Sequence, residues 1–151
     1  MKLLIGVADV PYTDSKESAS TGDVAEILEE KYHVMEIFYG IHQPDIISTL
    51  ENGIAGAIEN TIAGKKGKAD IFLGAYGSIE NEFHKYLDNE EMRGMIDGVP
   101  TQAALDGISS RFKNKKNNIY RKGKTVATGV RRPSFIDSGM YRQMFKVWID
   151  Q

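Results

Sequence analysis

Residues 44–64, PDIISTLENGIAGAIENTIAG, set the class of fold. Pro44 suits a first helical position, where its missing N–H would have no partner in any case, and Asp45 follows in the first turn. Ile46, Ile47, Leu50, Ile54, Ile58 and Ile62 then mark an apolar stripe over about five turns, closed by Gly64. The stretch predicts a helix about 30 Å long, the best-defined element of the chain. Gly53 and Gly56 each cost about 1 kcal/mol relative to Ala inside a helix. Two explanations suit them: a neighbouring element of the same chain packs closely, or a helix from another subunit does.

Upstream, Lys2 to Ala8 reads as a short strand followed by the turn formers Asp9, Pro11 and Asp14. Residues 13–22 are small, polar and charged, as in a surface loop. Ser20 or Thr21 then offers an N-cap oxygen to a helix reaching about Lys31, with Val24, Ile27, Leu28 and Tyr32 at helical spacing. His33 to Ile41 fits a strand or a continued helix equally well. Downstream, a basic tether, Lys65 to Lys68, leads to a weak strand candidate, Ile71 to Ala75. Ser78 opens a helix with Ile79, Phe83, Tyr86 and Leu87 on one face and its end at Met92 to Gly94. Thr101 caps another, expected to run through about Phe112 with Ala104, Leu105 and Ile108 inward. Asp137 or Ser138 begins a last piece that starts as a helical turn and finishes as a strand. These elements predict one α+β domain over 1–151: a small, mostly antiparallel sheet, three to four helices, and a long basic loop or hairpin at about 111–132.

The chain has 151 residues, enough for one core that buries roughly 68–70% of its surface. With no cysteine, disulfide scaffolds, thiolate metal sites and cysteine nucleophiles are excluded. The apolar run Leu3 to Ala8 is too short for a signal peptide or a membrane span, so no membrane role is expected. A net charge of −2 conceals a strong division. From Gly107 to Ile136 there is no acid, and Arg111, Lys113, Lys115, Lys116, Arg121, Lys122, Lys124, Arg131 and Arg132 make this segment +9. The remaining ten bases and twenty-one acids leave −11 elsewhere. Such a division favours head-to-tail association, one copy's loop attracting the next copy's acidic face. Phosphate neutralisation by the same cations, with Phe112, Tyr120 and Phe135 able to stack on bases, is the alternative.

Catalytic and cofactor motifs are absent. Gly123-Lys124-Thr125 matches the end of a phosphate-binding loop, but Asn118 stands where its first Gly belongs and no buried strand precedes it. His33, His42 and His84 form no paired metal-ligand spacing, and Ser138 lies in no nucleophile elbow. Neither enzyme activity nor a cofactor nor a metal is expected.

Residues 98–111, GVPTQAALDGISSR, and 132–149, RPSFIDSGMYRQMFKVWI, resemble the neck or tail-completion proteins of contractile-tailed bacteriophages. In that family an Arg-Pro-x-Phe-Ile-Asp-Thr-Gly segment precedes a Tyr and a terminal Phe-x-x-Trp. Arg132, Pro133, Phe135, Ile136, Asp137, Gly139, Tyr141, Phe145 and Trp148 match that pattern, and Ser138 replaces Thr. Residues 20–31 and the helix after them are similar less distinctively, and the loop from Asn114 to Arg131 is longer and more polar than the family pattern. The resemblance implies a structural virion protein, present in the host cytoplasm during assembly, that forms a homo-oligomeric ring (hexamer or dodecamer) at the head–tail junction and contacts other neck and tail proteins. The residues expected at subunit or partner interfaces are Lys113, Lys115, Lys116, Arg121, Lys122, Lys124, Arg131, Arg132, Tyr141, Phe145 and Trp148. For Trp148, burial in the core is the competing expectation.

Overall fold

The computed structural model describes residues 2–12, 19–65, 72–107 and 129–150, with the backbone of 120–121 and 124–125. Strand β1 (Lys2–Val7) leads to helix α1 (Thr21–Tyr32). Ser20 caps α1 through a reciprocal box: its hydroxyl accepts from the Asp23 N–H at 3.2 Å, and the Asp23 carboxylate accepts from the Ser20 N–H at 2.8 Å. Thr21, fully buried, donates its hydroxyl to the Ala8 carbonyl at 2.6 Å and accepts from the Val10 N–H at 2.8 Å. These bonds strap the end of β1 to the start of α1.

Helix α2 spans Val34–Ile62, so the undecided stretch after His33 is helical and Pro44 lies inside the helix, not at its start. His33, with φ 50°, reverses the chain in a single left-handed residue. The Glu29 carboxylate then accepts from the Met35 and Glu36 N–H groups at 2.8 and 3.1 Å, capping α2 ten residues before Pro44. Val34, Phe38, His42 and Ile46 are buried at four-residue spacing, and their burial offsets a cost of roughly 3 kcal/mol for an internal proline.

Helix α3 (Leu73–Asp88) begins where a strand was expected: Leu73 to Ala75 form its first turn, and Ser78 sits within it, donating to the Gly74 carbonyl at 3.1 Å. It ends at Asp88, ahead of the expected Met92 to Gly94, and residues 89–98 are turns. Thr101 caps a single-turn helix, α4 (Gln102–Leu105), which stops at Gly107 with φ 63°. Ala104 is buried as expected, whereas Leu105 is exposed because the helix ends before a second turn could cover it. The expected continuation to Phe112, with Ile108, lies outside the described residues. Strands β2 (Tyr120–Arg121) and β3 (Lys124–Thr125) pair antiparallel as a hairpin rung in the basic segment. Helix α5 (Met140–Gln143) feeds strand β4 (Phe145–Asp150), the turn-then-strand order read from the sequence.

Strand β4 pairs antiparallel with β1, from Lys2 opposite Asp150 to Val7 opposite Phe145, so the chain's two ends form one two-stranded sheet. Its inner face meets the helices. Phe83 of α3 stacks on Phe145 at 3.8 Å and 11°, and Phe38 of α2 meets both rings edge-on, at 5.1 and 5.8 Å. Tyr86 completes the cluster and donates its hydroxyl to the Val34 carbonyl at 3.1 Å. The fold is α+β, one sheet face being covered by α2 and α3. No helix among the described residues is long and apolar enough to cross a membrane.

Candidate assembly surfaces

The family-like motif builds a braced turn. Within RPSFIDSG, the Arg132 guanidinium donates to the Ile136 carbonyl at 2.5 Å and lies 3.6 Å from the Asp137 carboxylate. Phe135, at φ 66°, sets its ring 4.9 Å from that of Tyr32, and Gly139, at φ 78°, turns the chain into α5. The Ser138 hydroxyl accepts from the Met140 N–H at 3.2 Å, a capping role.

Ser134, the variable position of the motif, is the deepest residue of this turn. Its N–H and hydroxyl both donate to Glu90 Oε1 at 2.8 Å, and its hydroxyl accepts from the Thr101 N–H at 3.0 Å. Arg131 pairs with the other oxygen of Glu90. Burial alone raises the Glu90 carboxyl's pKa, but the two Ser134 donors and the charges of Arg131 and Arg93 outweigh it and hold the group below its ordinary value. Glu90 itself occupies the left-handed region at φ 50°. It joins the 89–98 turns, the α4 cap and the motif, yet no local pattern marks it, since its partners lie 41 and 44 residues away.

The expected interface set separates into five groups. Arg131 and Arg132 are engaged within the chain, by Glu90 and by the motif turn. Tyr141 and Phe145 are buried in the core. Trp148 is on the outer sheet face, 44% exposed, which overturns core burial. The alternation along β4 explains this: Phe145 and Val147 point inward, and Trp148 points outward with Lys146. Trp148 pairs across the sheet with exposed Leu4, and its ring covers Gly6, where an added Cβ would stand 3.1 Å from it. Arg121 and Lys124 face each other in the β2–β3 register, while Lys113, Lys115, Lys116 and Lys122 lie outside the described residues.

Both ends of the basic segment are held together. A Cβ on Gly107 would approach the Gly129 carbonyl carbon to 2.5 Å, and the Arg132 N–H donates to the Ala104 carbonyl at 3.1 Å. Gly107 and Gly129, which flank the basic segment, are therefore in direct contact.

A second apolar surface runs along α2. Ile46 is the last fully buried residue of this helix and Leu50 the last hydrophobic one packed against the core, so its last twelve residues, about 18 Å, extend past the core. Gly56 has no atom within 4 Å of an added Cβ, so among the described residues none provides the close neighbour that was one explanation for it.

Glu29, His33 and Glu36 bring one ligand atom each within 4.8 Å of the others. The Glu29 oxygens already accept the α2 N–H groups, which accounts for this cluster as a helix junction. Lys124 and Thr125 form a strand rung instead of opening a helix, so the phosphate-loop likeness has no structural counterpart. Comparison with family models, with curated proteins and with solved structures finds no match to this chain.

Proposed function

We propose that the chain is a non-enzymatic structural protein of a phage head–tail junction, of the neck or tail-completion type, assembling as a ring. The observation that carries this reading is the exposed Trp148 beside Leu4 on the uncovered face of the terminal sheet. A large rigid aromatic set in the open on a firm strand is the residue type that anchors protein interfaces. The motif turn supports the same reading, because Arg132, Asp137 and Ser138 set the direction in which α5 and β4 leave it. A basic segment in an otherwise acidic chain adds complementary charge suited to closure by rotation. Particle mass in solution, alone and with neck and tail proteins added, tests it. Rings that Trp148→Ala abolishes are the expected result, and a chain that joins no assembly in either condition rejects it.

The closed base at Gly107 and Gly129 also favours a second reading, in which the intervening cations grip DNA phosphates. That reading requires affinity for DNA falling by orders of magnitude between roughly 50 and 200 mM salt. No binding at low salt rejects it.

A further inference from the structure

A row of α2 side chains runs at four-residue steps, Val34, Phe38, His42, Ile46, Leu50, Ile54, Ile58 and Ile62, and is apolar except at His42, which pairs with Glu91 at 2.9 Å. A helix of 3.6 residues per turn carries each such step about 40° around its axis. The stripe consequently faces the core at Val34 and has wound off it by the helix's end. Exposure follows the winding, from 0% at Val34 through 42% at Ile54 and 54% at Ile58 to 81% at Ile62.

We infer that this winding stripe is a contact between two copies of the chain, related by a two-fold axis passing between Ile54 and Ile58. Rows of side chains four apart form the ridges that interdigitate when two helices pack, crossing at about 50°. One such ridge is complementary to itself, so Ile54 of one copy packs against Ile58 of the other, and the reverse. Charge selects the orientation. Helix α2 contains Glu36, Asp45, Glu51 and Glu59 and no Lys or Arg, while Lys65 stands just past its end. Glu51 falls within the arc of the exposed isoleucines. Arms running in opposite directions bring Glu51 of each copy toward Lys65 of the other, whereas arms running together set like charges side by side. Oppositely running arms are therefore the arrangement that forms. This surface is separate from the outer sheet face and does not depend on the ring reading.

Sedimentation of the full chain over a concentration series to about 0.5 mM tests the contact. Ile58→Glu is expected to weaken self-association at least about tenfold. Glu51→Lys weakens it, and adding Lys65→Glu in the same chain restores it. Trp148→Ala leaves the two-copy species in place, which separates this contact from any made by the sheet. A wild-type chain that stays monomeric throughout overturns the proposal, as does association unaffected by Ile58→Glu. Failure of the double reversal to restore association overturns the orientation.

Discussion

The Glu90 carboxylate receives both the backbone N–H and the hydroxyl of Ser134, each at 2.8 Å, across 44 residues of chain. Removing it leaves those buried donors and Arg131 without their acceptor. Glu90→Ala is expected to destabilise the fold by about 3 kcal/mol, measured by urea unfolding at pH 7. The pH dependence has a defined sign. A carboxyl held below its ordinary value in the folded chain contributes stability that is complete above about 4.5 and is lost as the pH falls through the lower folded value. The stability difference between wild type and Glu90→Gln should therefore shrink on acidification below about pH 4.5; a difference constant from pH 7 to pH 3 contradicts this account.

Tyr141 is 3% exposed, and its hydroxyl has no hydrogen-bond partner among the described residues. Burial also pushes its pKa up. An unpaired buried hydroxyl costs roughly 1–3 kcal/mol. Tyr141→Phe removes that cost while keeping the ring against Phe83, so it should raise or preserve the melting temperature. A clear loss of stability would show that the hydroxyl is satisfied.

Trp148 and Phe145 are three residues apart on one strand and should respond in opposite ways. Phe145, fully buried and stacked on Phe83, should lose about 3–5 kcal/mol on change to Ala, enough to unfold a domain of ordinary stability. Trp148→Ala should leave the chain folded, with unchanged far-ultraviolet circular dichroism. Unfolding of that variant would show that the indole is essential to the fold.

Gly107 carries φ 63° and lies where a Cβ would collide with the Gly129 backbone. Gly107→Ala is expected to cost about 2 kcal/mol or more in thermal or urea unfolding. Gly40, with nothing near its Cβ position in the interior of α2, should instead gain up to about 1 kcal/mol on the same change.

Changing Lys115, Lys116, Arg121 and Lys122 together to Ser should weaken assembly and leave the fold intact, as read by particle mass and circular dichroism. Unchanged assembly would assign the segment no role in it.

Much of the fold was legible because it rests on local chemistry. The Ser20 cap, the α3 stripe from Ile79 to Leu87 and the helix-then-strand ending at Phe145 all follow from neighbours in sequence. The start of α2 was not legible, since a left-handed His33 in place of glycine and a cap from Glu29 leave no familiar signal, and Pro44 points to a later beginning. The isoleucine stripe was legible as a helix but not as an exposed one; its exposure comes from the accumulated mismatch between a step of 4 and a period of 3.6. In the motif, the sequence marked Arg132 and Asp137 as positions matching the family pattern, but their engagement with each other and the dependence of Ser134 on Glu90 are tertiary facts.

The contact between Gly107 and Gly129 has a consequence for how this chain can vary. Because the two glycines touch, a stretch joining them closes a loop whose ends already meet, and the entropic cost of such a closure rises by only about 0.6 kcal/mol for each doubling of its length. Changes of length between the two glycines are therefore expected to cost little in closure, and a short glycine-containing linker from Gly107 to Gly129 should leave the far-ultraviolet circular dichroism of the domain in place.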